Sequence, residues 1–558
     1  MTHPGRLTIG VDFGTESARA VLVDVSNGAE LATEVHPYAS GVIDRRLPGS
    51  GTPLPPDWAL QDPDDYLEAL GVTVRAVLAR SQVDPGQVIG IGIDFTACTM
   101  LPVTADGTPL CKLPEHRADP HSWVKLWKHH AAQPEADLLN ETAETRREPW
   151  LDRYGRRTSS EWFFAKALQI LHEAPEIYAR ADRLIEAADW IVWQLTGVEN
   201  RNACTAGYKA LWSRAEGFPE RDFFAGLASG FGDIVADKMS RDISRPGERA
   251  GVVTTAASNL TGLTPGTPVA VANVDAHVSV PASTVVAPGS LVAVMGTSTC
   301  HLTLAEVDRV VPGFCGVVED GVLPGLFGYE AGQAAVGDMF AWFAGLLSTG
   351  GGPASDVHQE LESEAGRLRP GQSGLVALDW WNGNRSILVD ADLTGLLLGA
   401  TLATTPGDIY RALLESTVFG TRVIIDSLEQ AGIAIDDMVV CGGLPFQNRL
   451  LMQLTADITG RRVRVAASRQ TPALGSAMFA AVAAGSSMGG HESIEDAAEH
   501  MASLGSDEYS PDPSVRTVYD DLYDIYRDLH DSMSASSSEM RRLRSVQDRD
   551  RQTTVSVS

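Results

Sequence analysis

The chain has 558 residues, of which 44% are hydrophobic and 21% charged, the balance of a globular protein with ample apolar material for a core. Its 72 acidic residues outnumber 44 basic ones, giving a formal charge of −28, a field that disfavours nucleic acid and anionic membrane as partners. No apolar run reaches the about 18 residues that a membrane-spanning helix needs.

The chain enters a strand almost at once, without a basic-then-apolar leader. Leu7 to Val25 alternates and is rich in β-branched residues, which predicts a hairpin with Gly14 and Thr15 at its turn. The Gly-, Pro- and Asp-rich stretch from Ala39 to Pro63 reads as a surface loop. Asp62 and Pro63 then form an N-cap and first helical residue for a helix running to about Ser81. Val88 to Phe95 is a short buried strand, and His121 to about Gly230 is expected to be mostly helical. A second strand-rich stretch starts near Pro268 and contains VANVDAH and then SLVAVMGTSTCHLTLAE, with a second Gly-Thr turn at Gly296 and Thr297. Helices are expected over about Ala334–Leu347, Pro406–Ala431, Arg449–Thr459, Gly475–Ala484 and Pro513–Ser534, with a strand at Met438–Cys441. At roughly 150 residues per domain the length allows three or four domains. The two hairpins with matching turns instead predict two similar α/β domains across a cleft.

The six cysteines form no CxxC pair and read as reduced thiols of a cytoplasmic protein. The thirteen histidines include no HExxH, which argues against a His/Cys metal centre. There is no GxxxxGK[ST] and no GxGxxG opening a helix after the first strand, so neither a P-loop nor a dinucleotide fold is indicated.

Four groups of residues could carry chemistry. Around the first turn lie Asp12, Gly14, Thr15, Ser17 and Arg19, where backbone N–H groups of a tight turn can cradle phosphate. Asp12, at the strand end, suits Mg²⁺, which takes one or two carboxylates and keeps several waters. An ordinary glycine-containing hairpin would read the same way; the recurrence at Gly296-Thr297 favours the phosphate reading. Asp275 follows an apolar strand, where α/β folds present site residues, and could accept a hydroxyl proton in phosphoryl transfer; it could equally cap a helix. Gly442-Gly443 after MVVC could let backbone approach a nucleotide, or simply turn a strand into a helix. Lys209 in AGYKALW, Glu330 in FGYEAGQ and Trp127 in VKLWKHH together could line a sugar pocket, although each alone reads as a salt-bridged, surface or core residue.

DFGTESAR, GTSTCH and CGGLPFQNRLLMQLTADITG, in this order and spacing, resemble the FGGY carbohydrate kinases, and the resemblance runs from about Leu7 to Gly485. It implies an α/β fold of two ribonuclease-H-like, actin/hexokinase-type ATPase domains facing across a cleft. The implied domains are 1–285 (sugar and first phosphate turn) and 286–490 (ATP), followed by a helical extension, 491–534, and a disordered tail, 535–558. The stretches HSWVKLWKHHAAQPEAD, AGYKALW, MGTSTCHL, FGYEAGQAAVGDMFAWF and LDWWNGNRSILVDADLTGLLLG further imply a ketopentose acceptor, L-ribulose, in L-arabinose catabolism. D-Ribulose, ribitol, D-xylulose and glycerol are the acceptors of sister enzymes.

Residue by residue, the resemblance implies Asp275 as catalytic base and Ala97, Trp127, Lys209, Asp275 and Glu330 as acceptor contacts. It implies Asp12, Gly14, Thr15, Arg19, Gly296, Thr297, Gly332, Gly442, Gly443 and Asn448 around ATP, and Asp12 and Asp275 near Mg²⁺. Ala97-Cys98 stands where glycerol kinases carry Arg-Glu, which removes a clamp for a short polyol. Gln447 replaces the more usual Lys of the adenosine motif. The expected partners are the sugar and ATP, with a homodimer as an open possibility of assembly. A filament-forming or chaperone-like ATPase would use the hairpins but not an Asp275/Lys209/Glu330 pocket, and a sugar sensor that had lost the chemistry would not keep both Asp12 and Asp275.

Overall fold

Two seven-stranded sheets organise the computed structural model, which describes residues 5–240, 242–348, 354–535 and 538–546. The first contains β1 (Leu7–Phe13), β2 (Ser17–Asp24), β3 (Glu30–Pro37), β4 (Val88–Phe95), β5 (Arg249–Val252), β6 (Pro268–Ala270) and β7 (Asn273–Val274). Their order is β5–β6–β4–β1–β2–β3, with β7 also beside β4. The second contains β8 (Ser290–Met295), β9 (Thr299–Ala305), β10 (Gly316–Glu319), β11 (Phe327–Gln333), β12 (Asp437–Gly442), β13 (Arg462–Ala466) and β14 (Leu504–Tyr509), in the order β10–β11–β9–β8–β12–β13–β14.

The two sheets repeat one plan. In each, a hairpin and a third strand are antiparallel, and two further strands run parallel to the hairpin's first strand. An antiparallel edge strand then closes each, β5 in the first and β14 in the second. The duplication expected from two Gly-Thr turns is thus a duplication of the whole sheet.

Local sequence explains the elements that frame the cleft. β1 and β4 are buried along their full length, as parallel central strands covered on both faces must be. Helix α1 (Pro63–Ser81) starts where Asp62 accepts the N–H of Asp64 and Pro63 occupies the first turn. It delivers Tyr66 edge-on to Phe95, which stacks on Phe13 with ring centroids 5.0 Å apart. Four more helices matter for the site: α2 (Ala203–Lys209), α3 (Asp275–Ala282), α4 (Gly337–Leu347) and α5 (Arg449–Thr459).

Helix α6 (Thr471–Ala484) comes from the second half of the chain yet lies directly on the first sheet. A Cβ at Gly10 would stand 1.7 Å from the Ala473 carbonyl oxygen, and one at Gly92 2.0 Å from that of Ser476. Gly475 of α6 is equally close to the Val278 carbonyl of α3. Backbone touches backbone at all three positions, so only glycine fits.

The structure refines one expectation and corrects two. The segment 121–230 is mostly helical as expected, and it adds what was not: Val124–Lys125 and Arg183–Glu186 join Leu60–Gln61 and Met100–Val103 in a small four-stranded sheet. The extension 491–534 is not a helical appendage, because it supplies β14 to the second sheet before α7 (Arg516–Ser534). Of the tail expected to be disordered, residues 539–546 form a helix, with Met540 buried in the core of the second half. Its Ser-, Arg- and Asp-rich composition hid one apolar anchor; 536–537 and 547–558 lie outside the described residues. All six cysteines are free thiols, and among the described residues no helix is long and apolar enough to cross a membrane.

Candidate active site

Three carboxylates converge at the carboxyl ends of the first sheet's central strands. Asp12 near the end of β1 is the register partner of Asp94 on β4, and Asp94 in turn pairs with Asn273 on β7, two residues before Asp275. Asp94 is wholly buried and Asp12 nearly so, at 7% exposure. The two side chains interact directly, and Ser476 on α6 donates to Asp94 Oδ2 at 2.5 Å. Asp94 Oδ1 is buried and accepts no protein hydrogen bond. Burial, then the Asp12 carboxylate, pushes Asp94 well above the usual carboxylate range. Burial also raises Asp12, with Arg19 offsetting part of the effect from 3.4 Å. Arg19 donates as well to Gln470 Oε1 at 2.8 Å, just before α6.

Asp275 is the first residue of α3 rather than its cap, and its Oδ1 accepts the Ala276 N–H at 2.6 Å. Burial and then Asp12 raise its carboxyl to about 7, with Glu330 raising and Arg385 lowering it by smaller amounts. A carboxylate that gains or loses its proton near neutrality suits general acid–base work.

A buried polar cluster flanks Asp275. Lys209 at the end of α2 donates to both oxygens of Glu330 on β11, at 3.0 and 3.1 Å. The Arg385 Nη2 donates to Glu330 Oε1 at 2.8 Å, and His277 Nε2 stands 3.4 Å from Oε2. Burial opposes the charge on Glu330, but Lys209, His277 and Arg385 outweigh it and hold the carboxyl well below its ordinary value. Lys209 shows the converse: burial disfavours its charge, yet Glu330 keeps the ammonium above its usual range. The pair joins the two halves, since α2 precedes the second sheet and β11 lies within it.

The first turn is braced by two side chains from outside the hairpin. Trp127 Nε1 donates to Thr15 Oγ1 at 3.0 Å, and Gln61 donates to the Thr15 carbonyl at 2.7 Å. Gly14 N–H closes the turn on the Ser17 carbonyl, as Gly296 N–H does on that of Ser298. The carbonyls of Gly296 and Thr297 receive N–H groups from Val336, Gly337 and Asp338 at the start of α4. Ala97 follows β4 and packs partly buried beside Cys98, whose φ of 61° is left-handed. The Cys98 carbonyl accepts from Lys166 Nζ at 2.7 Å.

The glycines separate into two kinds. A Cβ at Gly14 would meet nothing nearer than 3.4 Å, and at Gly296 or Gly443 nothing nearer than 3.8 Å; none of the three has positive φ. The chain itself does not demand glycine there, and the space beside each is open to a ligand. Gly442 differs: it has φ 92°, and a Cβ would stand 2.4 Å from the Met295 carbonyl, so the fold requires it. Asn448 caps α5, accepting the Leu451 N–H at 2.8 Å. Gly332 lies within β11 and gives its N–H to Ser386 Oγ at 3.1 Å, on the Arg385 side of the cluster.

The structure therefore gathers Asp12, Arg19 and Asp275 around one end of the first sheet, with Lys209 and Glu330 adjoining and Trp127 on the Thr15 turn. It commits Gly442 and Asn448 to structural duties at the end of β12 and the start of α5. Sequence reasoning missed Asp94, His277 and Arg385. For Asp94 a signal was present: Ile9-Gly10-Val11-Asp12-Phe13 returns as Ile91-Gly92-Ile93-Asp94-Phe95, and the two segments pair in register. Asp12 and Asp94 offer hard carboxylate oxygens, one of them buried and without a partner. They fit a divalent cation of the Mg²⁺ type.

Two family models match the chain: the N-terminal domain of the FGGY family of carbohydrate kinases over 7–280 and its C-terminal domain over 291–484. The chain is 54% identical over 548 residues to a ribulokinase of Halalkalibacterium halodurans, covering 97% of each. It is 53% identical over 546 residues to a ribulokinase of Geobacillus thermodenitrificans, again covering 97% of each. Among solved structures it resembles xylulose kinase from Rhodospirillum rubrum with a TM-score of 0.76 at 22% identity, over 95% of this chain and 99% of that one. That last likeness speaks to the fold alone.

Proposed function

The chain belongs to the FGGY family of carbohydrate kinases, and from that premise we infer that it is a ribulokinase, transferring the γ-phosphoryl group of ATP to L-ribulose and yielding L-ribulose 5-phosphate and ADP. The ribulokinases that it resembles at 53–54% identity support the acceptor class. L-Arabinose catabolism, in a cytoplasm where six free thiols stay reduced, is the setting we assign.

The observation that carries the reading is the position of Asp275 between two unlike neighbourhoods. On one side is the carboxylate group of Asp12 and Asp94; on the other is the Lys209–Glu330 pair with Arg385. The first suits the charged phosphates and their cation, the second a neutral polyhydroxy acceptor. Charged groups already satisfied by one another bind hydroxyls through their remaining donors and acceptors. We assign the phosphates to the turns at Gly14-Thr15 and Gly296-Thr297, with Gly443 toward the nucleoside and Trp127 and Ala97 bordering the sugar.

In this reading Asp275 takes the proton of the sugar 5-hydroxyl. The oxygen bonds to the γ-phosphorus, the bond from that phosphorus to the β–γ bridging oxygen breaks, and ADP leaves with the electron pair. Asp12 and Asp275 would hold Mg²⁺, with Asp94 behind them; bound there, the ion would neutralise charge on the transferring group. Backbone N–H groups of the two turns stabilise the same charge. Approach of the two halves across Lys209–Glu330 would exclude water and protect ATP from hydrolysis.

A coupled assay over ketopentoses and polyols tests the acceptor: L-ribulose should give the highest kcat/KM, and a best rate with glycerol or D-xylulose would overturn the assignment. Asp275→Ala should lower kcat by roughly 10²–10⁴ with ATP binding retained; a near-normal rate would remove Asp275 from the role.

A further inference from the structure

Arg385 sits in the segment LDWWNGNRSILVD, one residue after Asn384. Asn384 and Asp390 exchange two backbone hydrogen bonds, each 2.8 Å, and Asn384 Oδ1 accepts the Leu388 N–H at 2.9 Å. The residues between them form a closed loop, and Arg385 leaves its base toward Glu330. Ser386, the next residue, accepts the Gly332 N–H from the strand that carries Glu330. The loop is therefore registered to the acceptor cluster at two adjacent residues.

The last described segment of the chain holds the same loop from behind. Arg541 forms an ion pair with Asp390, which is 15% exposed and sits at the loop's base. Met540 is buried, and its sulfur accepts the Thr394 N–H at 3.1 Å. Upstream, Tyr526 on α7 donates to Asp379 at 2.8 Å, and Trp380 packs edge-on against His530 at 5.3 Å. A continuous path runs from Arg541 through Asp390 and Asn384 to Arg385 and Glu330. A guanidinium taken largely out of water keeps its direction toward Glu330 only if its backbone is fixed.

We propose that Arg385 is a positioning residue for the acceptor site, fixing Glu330 against the sugar, and that the C-terminal segment 538–546 sets Arg385 through the Arg541–Asp390 pair. The terminal segment is then part of the apparatus that selects the acceptor, although it is far from the cleft in sequence. This rests on the reading of Lys209 and Glu330 as acceptor contacts.

The test compares Arg541→Ala, Asp390→Ala, the double variant and Arg541→Lys in the full chain, measuring KM for L-ribulose, KM for MgATP, kcat and thermal midpoint. Loss of one charge-assisted pair should raise KM for L-ribulose roughly tenfold in either alanine variant. KM for MgATP and the thermal midpoint should hold, the double variant should be no worse than either single, and Arg541→Lys should recover most of the loss. An unchanged L-ribulose KM in both single variants, or equal rises in both KM values, would overturn the proposal. Glu330→Gln separates the two levels. If it leaves the L-ribulose KM unchanged, the acceptor reading itself fails; if it raises that KM while Arg541→Ala does not, only the C-terminal link fails.

Discussion

Glycines just beyond strand ends differ from glycines at the strand centres in what a side chain would strike. Gly14 and Gly443 have room for a methyl group, whereas Gly92 faces the Ser476 carbonyl at 2.0 Å. Gly14→Ala and Gly443→Ala should thus leave the thermal midpoint nearly unchanged and raise KM for ATP roughly tenfold, the worth of one phosphate or nucleoside hydrogen bond. Gly92→Ala should instead lose about 3 kcal/mol of stability, because two backbones must separate; urea unfolding reads the difference. Asp275 supplies a second residue-scale expectation. Its carboxyl ionises near 7, raised by burial and by Asp12, and only the ionised form can take a proton. The kcat/KM profile should fall on the acid side, and bound Mg²⁺ should place that limb below the value of about 7 that the carboxyl has without the ion. Arg385 lowers that value, so Arg385→Ala should move the acid limb to higher pH; a limb that stays in place would exclude Asp275 as the titrating group.

At the scale of elements, what the sequence made legible was local. The hairpins at Leu7–Asp24 and Ser290–Ala305 follow from alternation and small turn residues, and α1 from an Asp-Pro start that the structure reproduces at Asp62 and Pro63. Lys209 and Glu330 stood out because a charge within an aromatic stretch needs a partner, and each turned out to be the other's. Arg385 and His277 left no such mark. Arg385 lies in a polar loop where arginine is ordinary, and His277 in a short helix; only the fold brings both to Glu330. The strand β14 was hidden by its composition, since Leu504–Tyr509 is half polar and lies at a sheet edge, where alternation against a core is weak. The tail's helix was hidden because one Met and one Arg suffice to dock it, too little for any periodic signal.

For the whole molecule, the repeated sheet plan explains how the chain comes to have two matching Gly-Thr turns, to which the proposed function assigns the phosphates despite a net charge of −28. The global field is unfavourable to ATP, but in the proposed reading attraction at the site would be set by backbone N–H groups and a cation within a few ångströms, where screening is weak. The two halves meet through Lys209–Glu330, Arg19–Gln470 and Ser476–Asp94. Two of these contacts come from α6 and the residue before it, which lie on the first sheet, so the second half of the chain completes the site of the first.

Helix α6 has a consequence for how the gene product could be divided. It is encoded late, yet it fills the face of the earliest strands, with its backbone against Gly10, Gly90 and Gly92. A fragment ending at residue 285 would present a bare glycine-floored groove and the orphaned Asp94 carboxyl, and should be recovered largely as aggregate. A fragment beginning at 286 would carry an apolar, alanine-rich helix without its seat. Produced together, the two should reassemble into an active complementing pair, detectable as kinase activity and co-elution. Soluble, monomeric folding of the first fragment alone would mean that its sheet has another way to close. The boundary between the halves is thus a boundary of sequence, while the unit that folds is interlaced.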